Sequence, residues 1–293
     1  MERRPWPVIG MRRYQIILNQ GPEMFTISII ISTYNSPQWL EKVLWGFQFQ
    51  TDKKFQILVA DDGSSSETRD IIQAYNDKFE QTIVHVWQED LGFRKCAILN
   101  KAILAAKGDY LIFTDGDCVP RYDFVSAHRK NAKYNHFLSG TYCKLPMKTS
   151  RTLCYDTIRT RRAFSIYWLS RNGYKVRKSW AKFAGASVGI AGALNRFSPS
   201  TKQFHGNNSS VWRRDALKIG GFDERMSYGG EDHEFGFRLQ NAGVIPKLVR
   251  YSALCLHLDH SHDYVDDSKH AQNREIIANT CSQRLMRTPF GIN

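Results

Sequence analysis

One pattern repeats through the first half of the chain and limits what it can fold into: a short β-branched run, a polar turn, then an amphipathic stretch. "FTISIIIST" (25–33) is short and apolar enough to be a buried strand. "YNSPQWLEKVLWGFQFQ" follows, with Ser36 at a capping position, Pro37 at the first helical position, and Leu40, Val43, Leu44 and Phe47 on one stripe. "FQILVADDGSSSETRDIIQAY" repeats the unit, with a strand at 55–60 and a helix through Ile71, Ile72 and Tyr75. A third strand is expected in "QTIVHVWQ", a helix in "RKCAILNKAILAAKG" ended by Gly108, and a fourth strand in "DYLIFTDGD". Strands alternating with helices imply right-handed crossovers and an α/β fold, a mostly parallel sheet flanked by helices.

Open parallel sheets bind ligands beyond the carboxyl ends of their strands. "STYN" (32–35), "ADDGS" (60–64) and "TDGD" (114–117) all stand at such ends, so they should meet in one crevice. Two of the three are acidic, in a chain whose formal net charge is +13. Any one aspartate after a strand also serves as a turn or helix cap. Several gathered together suit a divalent cation, Mg²⁺ or Mn²⁺, lying between protein and phosphates.

The basic excess asks for an anionic partner, and nucleic acid, an anionic membrane surface and phosphate-bearing substrates all satisfy it. Much of it lies in 151–202, where Arg151, Arg159, Arg161, Arg162, Arg171, Lys175, Arg177, Lys178, Lys182, Arg196 and Lys202 face only Asp156. Phe164, Tyr167, Trp168 and Trp180 are interleaved with them, a mixture that suits an anionic membrane surface and equally a solvated helical face. No window approaches the ~18 apolar residues of a membrane span. The first residues lack a signal-peptide core. Six cysteines without a CxxC pair fit packing in a reducing compartment. The expectation is a cytoplasmic protein, peripheral at most, on the inner face of a membrane.

Four segments in order, "ISIIISTYNSPQWLEKVL", "VADDGSSSET", "AILNKAILAAKGDYLIFTDGDCVP" and "GGFDERMSYGGEDHEFGFRLQNAG", resemble the inverting, family 2 glycosyltransferases of the GT-A fold, with a galactosyltransferase-like acceptor segment. The likeness covers about residues 25–262. It implies a metal-dependent transfer of a hexose or N-acetylhexosamine from a UDP-sugar to a glycan acceptor, while a lipid-linked acceptor, as in cell-surface polysaccharide, lipopolysaccharide or capsule synthesis, is an expectation from the charge and aromatics of the basic insert. By resemblance Ser32, Thr33 and Tyr34 line the uridine pocket, Asp62 binds the base, and Arg94 with Lys95 is the basic position beside the diphosphate. Asp115 stands near ribose and metal, and Asp117 is the principal metal ligand, in the place of the DxD motif. Asp232 is implied as the base that deprotonates the acceptor, and Glu231 as its orienting partner. Tyr228, Gly230 and Asn207 are the implied acceptor-binding residues. A further metal ligand is implied from "HLDHSHD", His257 first and His260 next, with His262 a third histidine in the run.

The implied organisation is an N-terminal extension (1–24), a nucleotide-sugar half (25–120), a connecting segment with the basic insert (121–205), an acceptor half (206–262) and a tail (263–293). Three alternatives stay in view. A sugar nucleotidyltransferase would show a Gly-rich basic loop after the first strand, where this chain has "STYNSP". A polyanion-binding or nucleic-acid-binding protein leaves Asp61, Asp62, Asp115, Asp117, Glu231 and Asp232 without a role, so no nucleic acid is expected. A metallohydrolase needs more ligands at fixed spacing than "HLDHSH" offers.

Overall fold

The structure, a computed structural model, describes residues 25–176, 179–184, 188–260 and 267–293. The extension 1–24, Arg177, Lys178 and His262 lie outside the described residues. The strands are β1 (Ile27–Thr33), β2 (Phe55–Asp61), β3 (Ile83–Trp87), β4 (Tyr110–Asp115), β5 (Cys118–Pro120), β6 (His136–Ser139), β7 (Thr141–Lys144), β8 (Ser209–Trp212), β9 (Ile245–Leu248) and β10 (Leu254–His257). Seven form one sheet in the order β3-β2-β1-β4-β8-β6-β9, and β5-β10-β7 form a second. In the large sheet β8 pairs antiparallel with both neighbours, while the other pairings are parallel.

β1 is buried along its whole length because helices cover both faces of the sheet. Its side chains alternate between two cores. Ile27, Ile29 and Ile31 pack with the stripe Leu40, Val43, Leu44 and Phe47 of the Pro37–Gln48 helix. Ile30 packs on the other side with Ile98, Leu99, Phe113 and Phe235. The register brings the motif ends level, Ser32 beside Ala60 and Asp115, and Thr33 beside Asp61.

Several local expectations shift. Pro37 opens its helix as expected, but the Ser36 side chain makes no capping bond. The helix after β3 runs Lys95–Ala105 and leaves through an extended Ala106, so Gly108 does not end it. Gly108 is needed for a different reason: a Cβ there would lie 2.5 Å from the main-chain nitrogen of Ser28. The basic segment is helical as expected, in short pieces at Met147–Thr152, Tyr155–Arg159, Ile166–Arg171, Trp180–Ala184 and Val188–Arg196.

From residues 206–262, β8 inserts between β4 and β6, and β9 extends the same sheet. The described residues of 263–293 do not form a loose tail. The helix Asp267–Ser282 packs on the helix Glu231–Asn241. Ile276, Asn273, Thr280, Thr288 and Ile292 are all buried.

Candidate active site

The strand ends open into a cavity of about 750 Å³. On one wall stand Ser32, Thr33, Tyr34 and Asp62, and on the floor Lys95, Asp115 and Asp117. The opposite wall holds Asn207, Tyr228, Gly230, Glu231 and Asp232, and His257 and His260 close the side. Of the described residues implied by the sequence, Arg94 alone is absent from the lining. Its main-chain N–H donates to Asp62 Oδ2 at 2.8 Å, while the Lys95 side chain enters the cavity in its place.

Parallel pairing sets the first wall. Asp61 is fully buried and occupied, accepting from Ser64 N–H and lying 2.8 Å from His85 Nε2. Asp62, one residue on, reaches the cavity and is held by Gln88 Nε2 at 2.6 Å as well as by Arg94 N–H. Burial pushes its pKa up against the pull of those two donors. Thr33 Oγ1 and Asn207 Oδ1 line the cavity, are buried and, among the described residues, have no hydrogen-bond partner. Orphaned polar atoms at a cavity are what a polar ligand would satisfy.

The two aspartates of "TDGD" differ in their company. Asp115 Oδ1 accepts from Ser32 Oγ at 2.6 Å and from Lys95 Nζ at 3.0 Å. Burial alone would lower the pKa of Lys95, but Asp115 and Glu231, 3.7 Å from its Nζ, outweigh that and raise it. Asp117 faces the histidines instead, its Oδ2 2.9 Å from His260 Nε2 and 3.6 Å from His257 Nε2. The small sheet makes this meeting, because β10 pairs with β5 and sets His257 opposite Cys118. Burial acts to raise the Asp117 pKa, yet the His260 hydrogen bond and the two imidazoles hold it below its ordinary value. One ligand atom each from Asp117, His257 and His260 lie within 4.8 Å of one another, and so do those of Asp115, Asp117 and Cys118. A carboxylate with two imidazoles is a donor set that fits a divalent cation.

The second wall is built by a glycine turn. Gly229 and Gly230 have φ of 104° and 92°, and a Cβ on Gly229 would lie 2.4 Å from the His270 ring. Asn273, from the C-terminal helix, clamps the turn by donating to the carbonyls of Ser227, Tyr228 and Gly229 at 3.0, 3.1 and 2.9 Å. Glu231 and Asp232 then occupy the first turn of a helix, where the dipole favours negative charge. Glu231 Oε2 accepts from Gly229 N–H, and burial raises its pKa against the nearby Lys95, with Asp232 adding to the rise. Asp232 Oδ2 accepts from Gly206 N–H at 3.0 Å and Oδ1 from its neighbour His233 N–H at 2.8 Å. A side chain of Asp232 that is 22% exposed keeps access to the cavity.

His205 and His233, which no sequence pattern above singles out, have rings 5.6 Å apart and group with Asp232. Trp39, Phe93, Tyr142 and Lys144 also line the cavity without a site signal of their own. His205 stands two residues before Asn207, and that neighbourhood is its only local signal.

A profile of glycosyl transferase family 2 matches residues 28–197, more than half of the chain. The chain belongs to glycosyl transferase family 2. A second profile, the N-terminal domain of galactosyltransferase, matches residues 187–261 of this family 2 chain. Among curated relatives, an uncharacterized glycosyltransferase YfnE of Bacillus subtilis is 27% identical over 80% of this chain and 64% of its own length. Validoxylamine A glucosyltransferase of Streptomyces hygroscopicus subsp. jinggangensis is 28% identical over 77% of this chain and 54% of its own. Chondroitin synthase of Pasteurella multocida is 26% identical over 76% of this chain and 24% of its own. The chain thus spans less than two thirds of the length of each of these three relatives. Among solved structures, the mannosyltransferase PcManGT of Pyrobaculum calidifontis, in complex with GDP-Man and Mn²⁺, superposes with a TM-score of 0.58 at 16% identity, over 94% of this chain and 72% of that one. S. aureus TarS in complex with UDP-GlcNAc gives 0.54 at 13% identity, over 86% and 65%. These establish the GT-A fold for the family 2 chain.

Proposed function

We propose that this chain transfers a hexose or N-acetylhexosamine, with inversion, from a UDP-sugar to a glycan or glycolipid acceptor in the building of a cell-surface polysaccharide, lipopolysaccharide or capsule. The observation that carries the reading is that one cavity joins the strand-end polar set, the Asp117–His257–His260 cluster and a carboxylate, Asp232, on the facing wall. Ser32, Thr33, Tyr34 and Asp62 would hold the nucleoside, Asp62 accepting from the base edge once Gln88 and Arg94 N–H have fixed its carboxylate. Asp117, His257 and His260 would hold Mn²⁺ or Mg²⁺, with two imidazoles favouring Mn²⁺. Such an ion, when bound, neutralises diphosphate charge.

Asp232 would take the proton of the acceptor hydroxyl as that oxygen attacks the anomeric carbon from the face opposite the diphosphate. Its two main-chain donors from Gly206 and His233 fix its direction. Lys95, kept protonated by Asp115 and Glu231, would add positive charge at the cavity floor for the departing group. Tyr228 would offer an aromatic face to a sugar beside the Gly230 turn, and Asn207 its unsatisfied carbonyl.

No helix among the described residues is long and apolar enough to cross a membrane. Tyr167, Trp180 and Phe197 are 69%, 60% and 80% exposed among the basic helices, which supports a peripheral seat on the anionic, cytoplasmic face of a membrane. Incubation with a panel of UDP-sugars and Mn²⁺ tests the transferase reading. Mn²⁺-dependent UDP release from one donor, lost in Asp232→Asn, is the expected outcome. No release from any UDP-sugar with any acceptor offered, while GDP-sugars turn over, would overturn the choice of UDP.

A further inference from the structure

A second cavity, of about 530 Å³, adjoins the first and shares Trp39 and His260 with it. The Pro37–Gln48 helix forms one bank with Trp39 and Lys42. The helix Met147–Thr152 forms the other with Met147 and Arg151, and Asp259 joins His260 at the inner end. Trp39 and Lys42 follow the first strand in the run "NSPQWLEKVL", and apart from His260 the transfer chemistry proposed above uses none of these residues.

The charges along this groove are unbalanced. Lys42 is 91% buried, since only 9% of its surface is exposed, and it lines the cavity. Its Nζ donates to the carbonyls of Ser150 at 2.8 Å and Arg151 at 3.4 Å, and lies 4.7 Å from the centre of the Trp39 ring. It has no carboxylate partner in an ion pair among the described residues. Arg151, across the groove, has none either. The one acid of the lining, Asp259, already pairs with Lys144 at 3.7 Å. A buried ammonium held by two carbonyls and an aromatic face still lacks a counter-charge, which an incoming anion would supply. Trp39 supplies a flat apolar face next to that charge, a combination that suits a sugar ring bearing an acidic group.

We propose that this groove is an acceptor subsite for an acidic glycan unit, its carboxylate or phosphate held by Lys42 and Arg151 and its ring lying on Trp39. The glycan then continues past His260 into the main cavity, where the next hydroxyl meets Asp232. The inference rests on the transferase reading, and it narrows the acceptor from any glycan to an anionic one.

The test is calorimetric titration of the full chain with three oligosaccharides of equal length: one containing uronic acids, one of glycerol-phosphate units and one neutral. Each is run with and without UDP and Mn²⁺. The expected result is binding of an acidic probe that weakens as salt rises, with the neutral probe at least tenfold weaker. The probe that binds separates carboxylate from phosphate. Arg151→Ala, an exposed position, should weaken acidic binding about tenfold, the scale of one charge-assisted hydrogen bond, and leave UDP affinity unchanged. Lys42→Arg should retain binding where Lys42→Met loses it. Equal affinity for neutral and acidic probes, or an Arg151→Ala variant that binds the acidic probe like the parent, overturns the proposal. Failure of the donor reading shows separately, as absence of UDP binding in a protein that still binds the acidic probe.

Discussion

The helix Glu231–Asn241 holds carboxylates in two different conditions, one turn apart. Glu234 sits behind the cavity wall, 1% exposed, bound by Arg238 through two bonds of 2.7 Å and by Thr280 Oγ1 at 2.9 Å. Arg238 spends a further donor on the Ile219 carbonyl. Glu231 and Asp232 face the cavity instead. Lys95 lies 3.7 Å from Glu231 and closer to Asp115, at 3.0 Å. The same contrast separates Asp61, enclosed by Ser64 and His85, from Asp62 at the cavity. A closed, fully bonded carboxylate holds elements together, whereas one with lone pairs left toward a cavity has capacity for a ligand or a proton.

Breaking each class should give a different failure. On the open side, Asp232→Asn should cut transfer about 10² to 10⁴-fold, the range for loss of a general base, with UDP affinity preserved in a parallel titration. A variant that fails to fold would show instead that Asp232 serves as a helix cap. On the closed side, Arg238→Met leaves Glu234 buried without its partner. Urea unfolding should show a loss of about 3 to 5 kcal/mol with turnover per folded molecule nearly unchanged.

The closed class also includes His128, fully buried between Ser210 Oγ at 2.8 Å and Asn208 Oδ1 at 3.1 Å. The amide oxygen can only accept, so Nε2 carries the proton of a neutral ring and Nδ1 accepts from Ser210. Burial lowers its pKa to about 4 from 6.5, with the Asn208 bond opposing the fall. Between these values the unfolded chain binds a proton that the folded chain does not. Stability should therefore fall as pH drops from about 6.5 to about 4, by roughly 3 kcal/mol. Denaturation of the parent and of His128→Gln at both ends of that window measures it, and an unchanged slope in the variant would assign the acid sensitivity elsewhere. A smaller effect is expected at the hinge between the two classes. Asn273→Ala frees the carbonyls of Ser227, Tyr228 and Gly229 and should lower kcat about tenfold through a loosened Asp232, with UDP binding intact. Equal kcat in the variant would show that the turn holds its shape without the clamp.

How much of this was readable in the sequence follows from the range of each interaction. β1, β2 and β4 and the polar triplets at their ends are local patterns of seven or fewer residues, and parallel pairing carries them to one edge. The choice of Lys95 over Arg94 depends on where the Lys95–Ala105 helix begins, and one residue of slip turns a side chain by about 100°. β8, β6 and β9 are four residues each, too short for a periodic signal, so the reversal of β8 inside the sheet went unread. The closeness of His205 to Asp232 and the Asn273 clamp join residues 27 to 46 positions apart, and nothing local marks either. The helix Asp267–Ser282 lacks an apolar stripe because much of what it offers the core is polar, Asn273 and Thr280, and so it read as a tail.

The central claim is that Asp117, at the tip of β4, joins a divalent cation to a uridine nucleotide. Isothermal titration of the full chain with UDP, with and without Mn²⁺, measures this directly when repeated on Asp117→Ala. The account predicts UDP binding that requires Mn²⁺ in the parent and disappears in the variant. Equal UDP affinity in both proteins, or affinity indifferent to the metal, would contradict it.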